Sequence, residues 1–218
     1  MFRIKICGVT RPEDAAAVAA AGADAIGLNF YAGSSRCIDD ARAMAIIAVL
    51  PPGVAKVGVF VNAEPAFMRE KVARLGLDWV QLHGDEPADI IEQLAALRVI
   101  QAVRLKGDTI LSANVSSSVQ AVLIDAYSPA GFGGTGTTVD WALLPKLARP
   151  PNGLPLILAG GLNPSNVGEA IAVAQPNAVD TASGVESSPG VKNYALMQAF
   201  VAAARQAFAA LPTLPRTK

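Results

Sequence analysis

Two side chains able to move protons close short strand-like runs in this sequence. Cys7 ends Arg3-Ile4-Lys5-Ile6-Cys7, and Asp125 ends Val122-Leu123-Ile124-Asp125. A thiol near an ammonium such as Lys5 is a usable general base, because the positive charge favours the thiolate and draws a free-cysteine pKa of about 8.5 toward neutrality. Asp125 is the clearest candidate for the matching acid. Asp180 closes a similar run, as an orienting or a second catalytic carboxylate. His83, the only histidine, closes Gln81-Leu82-His83, with Gln81 on the same face. Both are read as polar substrate contacts. Each residue alone has a plainer explanation: a lone cysteine is most often a small buried hydrophobe, and a strand-end aspartate as often caps a loop. Their shared position at run ends favours chemistry.

Two glycine-bearing stretches late in the chain, Ala159-Gly160-Gly161-Leu162-Asn163 and Ala182-Ser183-Gly184-Val185-Glu186, suit a phosphate held on backbone N–H groups. Arg36, in Ser34-Ser35-Arg36, offers a guanidinium suited to a substrate carboxylate, unless it is simply solvated. One histidine and two separated cysteines argue against a zinc centre, and no G-x-S-x-G elbow marks a serine hydrolase. Gly131-Phe132-Gly133-Gly134-Thr135-Gly136 formally matches a dinucleotide fingerprint, but its first glycine does not follow a strand end. It reads instead as a mobile loop over the site. No cofactor or metal is expected.

The elements that must position these residues recur as β-rich runs between Ala-rich helical stretches. Candidate strands cover 3–7, 25–29, 55–61, 79–83, 99–105, 121–125, 156–159 and 178–181. Candidate helices cover 12–21, 39–50, 64–75, 87–97, 109–117, 140–147, 164–174 and 193–210. In the first strand, alternation puts Arg3, Lys5 and Cys7 on one face and Phe2, Ile4 and Ile6 on the helix-facing side. Strands alternating with helices imply a parallel α/β sheet, and eight units of about 27 residues fit a single-domain (β/α)8 TIM barrel. An open doubly wound sheet is the alternative. In both, ligands bind at the carboxyl ends of the strands, so the glycine stretches after strands seven and eight sit where barrels commonly hold phosphate.

The 218 residues are 52% hydrophobic, and 18 Lys+Arg balance 18 Asp+Glu. Such a chain can bury a core, and it lacks the basic stripe of a nucleic-acid or anionic-membrane binder. The longest small-apolar run, 15–23, is far short of the roughly 20 residues a bilayer requires. The first residues, MFRIKICGVT, read as a strand rather than a signal peptide. Two cysteines make a cytoplasmic location the default. The barrel is expected over 1–210 with a frayed tail over 211–218, since Pro212 and Pro215 stop the last helix. The expected partner is a small phosphorylated molecule, with the chain a monomer or homodimer.

Taken together, Lys5-Ile6-Cys7-Gly8-Val9-Thr10, Asn29-Phe30-Tyr31 with Ser34-Ser35-Arg36, Gln81-Leu82-His83-Gly84, Gly133-Gly134-Thr135-Gly136 with Asp140-Trp141, Ala159-Gly160-Gly161-Leu162 and Ser183-Gly184-Val185-Glu186 resemble the phosphoribosylanthranilate isomerase family. The resemblance spans nearly the whole chain. It implies a (β/α)8 barrel and a cofactor-free Amadori rearrangement in tryptophan biosynthesis. Asp125 would protonate the ring oxygen, Cys7 would remove the C2 proton, Arg36 would hold the anthranilate carboxylate, and Gly161, Ser183 and Gly184 the phosphate. Lys5, Gln81, His83 and Asp180 would line the site. The chain departs from the family's usual pattern at Ser35, where proline is usual, at Asn193, where aspartate is usual, and at Thr181-Ala182, where Val-Ser is usual. Two rival readings are a sister aminoaldose phosphate isomerase of histidine biosynthesis and a non-catalytic sugar-phosphate-binding barrel. The first predicts aspartates at both catalytic strand ends and a half-barrel repeat; the second leaves Cys7 and Asp125 without a purpose.

Overall fold

The computed structural model describes residues 1–105, 115–126 and 150–212. Eight parallel strands close into a barrel in sequence order: β1 (Ile4–Ile6), β2 (Ala25–Asn29), β3 (Ala55–Phe60), β4 (Trp79–Leu82), β5 (Val99–Leu105), β6 (Ala121–Ala126), β7 (Leu156–Leu158) and β8 (Ala178–Thr181). β8 pairs back onto β1, which excludes the open sheet. A short antiparallel hairpin, β9 (Glu186–Ser188) and β10 (Val191–Lys192), follows β8.

Period-two alternation divides the strand residues between two cores. Ile4, Ile6, Ile26, Leu28, Val80, Leu82, Val122, Ile124, Leu156, Leu158 and Val179 face the helices. Ala25, Val57, Trp79, Ile100, Ala121, Leu123, Ile157 and Ala178 fill the barrel interior. Phe2 belongs to this interior group and meets Trp79 edge-on at 6.1 Å, while Arg3 lies over the Phe208 ring. Both depart from the expected alternation, because β1 starts only at Ile4 and its pleat does not reach them.

Helices α1 (Pro12–Ala21), α2 (Asp40–Ala48), α3 (Pro65–Leu75), α4 (Ala88–Glu92), α5 (Val167–Ala174) and α6 (Tyr194–Ala210) pack outside. Proline opens α1 and α3, where its missing N–H costs nothing, and a left-handed glycine ends each, Gly22 and Gly76. Asp39 and Asn193 accept hydrogen bonds from the N–H groups of Arg42 and Leu196, capping α2 and α6. Helix α2 stops at Ala48, where i→i−3 bonds at Val49 and Leu50 take over, and α4 and α5 are also shorter than expected. In α4 the i→i−4 pattern gives way after Glu92 to i→i−3 bonds at Leu94, Ala95 and Leu97. Asn163-Pro164 does not start α5: Asn163 Oδ1 accepts from the Ser165 N–H, which builds a turn instead, and the helix begins at Val167. Within the helix expected over 109–117, Val115 to Ser117 are irregular or turn, and the rest lies outside the described residues. So do the helix expected over 140–147, the glycine-rich stretch from Gly131 to Gly136, and the end of the tail.

Candidate active site

The carboxyl ends of the strands gather the polar residues. Parallel register sets Lys5 of β1 beside Asp180 of β8, and both side chains point inward. Lys5 Nζ donates to Asp180 Oδ2 at 2.8 Å, and Lys5 has no solvent exposure. Burial works against the Lys5 charge, but Asp180 and Cys7 outweigh it and hold the ammonium's pKa above its ordinary value. Burial also raises Asp180, which Lys5 offsets only in part.

Cys7 follows one residue after β1 and is partly buried on the rim. Its N–H donates to the Thr181 carbonyl at 2.7 Å, and Gly27 on β2 leaves room for the thiol: a β-carbon there would lie 2.5 Å from Sγ. Lys5 pulls the thiol's pKa down, as expected. Burial nevertheless wins, and the thiol sits above its ordinary value rather than near neutrality. The expectation of a lowered pKa is thus corrected.

A second cluster spans β4 to β6. Gln81 Nε2 donates to His83 Nδ1 at 2.9 Å, which leaves the ring proton on Nε2 to donate to Asp125 Oδ2 at 3.1 Å. Gln81, His83 and Asp125 are all buried. Gln81 Oε1 and Asp180 Oδ1 are, among the described residues, buried polar atoms without a hydrogen-bond partner. Such atoms are costly and cluster where a protein keeps polarity for a ligand.

The proposed phosphate loops meet after β7 and β8. Gly161 has φ 64, and Gly184 packs so tightly that a β-carbon would lie 1.9 Å from the Leu162 carbonyl oxygen. Thr181 Oγ1 donates to that same oxygen at 2.6 Å. Ser183 opens the short 3-10 turn Ser183–Val185. Arg36 is ion-paired with Glu186 at 2.6 Å, and Glu186 also takes Lys192 at 2.7 Å. Glu186 and Lys192 were not singled out as site residues from the sequence. The Pro189-Gly190 dipeptide, which turns the hairpin that carries them, was the available signal.

A closed parallel barrel with a thiol, two carboxyls, an imidazole and an ammonium at the carboxyl ends of its strands is a (β/α)8-barrel enzyme. Residues 4–203 match the family model described as N-(5'phosphoribosyl)anthranilate (PRA) isomerase. A relative from Acidithiobacillus ferrooxidans named N-(5'-phosphoribosyl)anthranilate isomerase is 47% identical over 210 residues, covering 94% of this chain and 98% of its own. The solved phosphoribosyl anthranilate isomerase from Thermus thermophilus matches with TM-score 0.84 at 37% identity, covering 94% and 98% of the two chains. Another solved isomerase, in complex with reduced 1-(o-carboxyphenylamino)-1-deoxyribulose 5-phosphate, matches with TM-score 0.77 at 36% identity, covering 94% and 100%. The chain belongs to the N-(5'-phosphoribosyl)anthranilate isomerase family.

Proposed function

We propose that this chain converts N-(5'-phosphoribosyl)anthranilate to 1-(2-carboxyphenylamino)-1-deoxyribulose 5-phosphate in tryptophan biosynthesis, with Asp125 as general acid and Cys7 as general base. The observation that carries this reading is the pair of buried polar clusters at the rim, one around Cys7 and one around Asp125.

Asp125 donates a proton to the furanose ring oxygen, the C1–O bond breaks, and a cationic Schiff base forms. Its positive charge near Cys7 favours the thiolate in the way Lys5 does, offsetting the burial that keeps the free thiol protonated. Cys7 then takes the C2 proton, the electron pair neutralises the imine nitrogen, and the enolamine tautomerises to the ketone. Each positioned proton-transfer group is worth roughly 100- to 10,000-fold. His83 orients the Asp125 carboxyl, Gln81 fixes the imidazole tautomer, and the Lys5–Asp180 pair sets the charge beneath the thiol. Arg36 holds the anthranilate carboxylate, and the amides of Gly161, Ser183 and Gly184 hold the phosphate.

Among the described residues no helix is long and apolar enough to cross a membrane. Two free cysteines, one of them exposed, favour a cytoplasmic enzyme, active as a monomer or homodimer. The test is the fluorescence of N-(5'-phosphoribosyl)anthranilate generated in place from anthranilate and phosphoribosyl pyrophosphate. The signal falls when the protein is added. A steady signal with folded protein, alongside turnover of the histidine-pathway aminoaldose phosphate, contradicts the assignment.

A further inference from the structure

Between the loop after β2 and the β9–β10 hairpin lies a charge cluster that the acid–base chemistry does not use. Glu186, whose side chain is only 4% exposed, accepts from Arg36 Nε at 2.9 Å and Arg36 Nη2 at 2.6 Å. It also accepts from Lys192 Nζ at 2.7 Å. Lys192 in turn donates to the carbonyl oxygens of Cys7 at 2.6 Å and Ala182 at 3.1 Å, and its side chain has no exposure. The stem of Arg36 crosses Gly8, where a β-carbon would lie 2.3 Å from Arg36 Cδ. Arg36 is thereby held beside the residue that follows the thiol.

A guanidinium already paired with a carboxylate is a poor receptor for a second one, because the fixed anion repels the incoming anion across a weakly screened site. Here the arithmetic changes because two cations face one anion. Lys192 offsets Glu186, and the cluster keeps one positive charge. The bonds to Glu186 engage the Nε and one Nη2 proton of Arg36, and its other edge, Nη1 with the second Nη2 proton, has the fork geometry that takes a carboxylate in two bonds. Glu186 fixes the guanidinium plane, and Lys192 removes the electrostatic penalty for doing so.

We propose that Lys192 is a specificity-determining residue that acts through Arg36: by neutralising Glu186 it gives the site its preference for a substrate whose aromatic amine carries a carboxylate. This rests on the isomerase reading and on Arg36 as the carboxylate's partner. Lys192 does not touch the reacting atoms, so it is a positioning residue.

The test compares kcat/KM for N-(5'-phosphoribosyl)anthranilate with that for N-(5'-phosphoribosyl)aniline, which lacks the carboxylate, in wild type, Lys192→Met, Glu186→Gln and the double variant. The ratio of the two values cancels any shared damage to Cys7. Lys192→Met lowers the ratio by about tenfold, the equivalent of about 1.4 kcal/mol of selectivity. Glu186→Gln raises it, and the double variant returns toward wild type because one positive charge again remains. If Lys192→Met does not fold by circular dichroism, Glu186→Gln decides alone. A ratio that is the same in every folded variant, or that falls in Glu186→Gln, overturns the proposal and leaves only a structural role. A wild type that turns over neither substrate strikes the isomerase reading itself, so the two failures are distinguishable.

Discussion

The two ends of the barrel are built from opposite materials. At the amino-terminal end, Phe2, Ala25, Val57, Trp79, Ile100, Ala121 and Ala178 form a dry plug, and the strand entrances are tied by a recurring hydrogen bond. Asp24, one residue before β2, accepts from the N–H groups of Arg3 and Ile4. Asp78, before β4, accepts from Lys56, the second residue of β3; Gln120, before β6, from Val99 of β5; Asn177, before β8, from Leu156 of β7. Each even-numbered strand thus latches the start of the odd strand before it, so the floor is assembled from four strand pairs tied in the same way. At the carboxyl-terminal end the interior positions turn to Lys5, Asp180, Gln81, His83 and Asp125, and two buried polar atoms there lack partners among the described residues. One end satisfies its polar groups and packs; the other retains unsatisfied polarity and charge where a substrate enters. A cavity of about 810 Å³ opens at the floor, lined by Arg3, Asp24, Lys56, Trp79 and Arg98 among others. It holds no thiol or histidine, so its size does not make it the active site.

The contrast can be broken at several points. The largest effect is expected at Lys5→Met, which strands the buried Asp180 carboxylate and lowers stability by about 3–5 kcal/mol in urea unfolding. Adding Asp180→Leu should recover much of that stability while turnover stays low. A double variant as unstable as the single one would show that the pair supports the fold rather than the chemistry. Trp79→Ala opens the plug and costs about 3 kcal/mol or more, with kcat of the folded fraction unchanged. A selective loss of kcat there would contradict the division between the two ends. Asp24→Ala leaves two strand-entry N–H groups without their acceptor and costs about 1–3 kcal/mol. Its thermal midpoint should fall further than that of Asp78→Ala, Gln120→Ala or Asn177→Ala, each of which removes one such bond.

The smallest change concerns the thiol. Alkylation by iodoacetamide consumes thiolate, so in a Cys37→Ser background the rate at Cys7 should keep rising with pH beyond the ordinary thiol range of about 8.5. Lys5→Met removes the ammonium that pulls the thiol down and should move the profile further upward. A rate that levels near neutral pH would show that Lys5 outweighs burial.

Much of this was legible in the sequence, because inward-facing polar residues interrupt apolar runs only near strand ends. Cys7, His83 and Ala159 fall one residue beyond β1, β4 and β7, where a rim residue belongs. The floor pattern was not legible, because its acceptors are Asp, Asp, Gln and Asn: the shared feature is geometry rather than residue type. Phe2 and Arg3 were misassigned because alternation holds only inside a paired strand. Glu186 and Lys192 escaped notice as site residues because their relation to Arg36 exists only once β9 and β10 pair and bring distant parts of the chain together.

The proposed chemistry rests on the two proton-transfer groups. Its most direct test is turnover of N-(5'-phosphoribosyl)anthranilate by Cys7→Ala and Asp125→Asn, each confirmed as folded by its thermal midpoint. Both should lose roughly 100- to 10,000-fold in kcat while the fold is retained. A folded variant of either kind that keeps near wild-type turnover would contradict the assignment of acid and base.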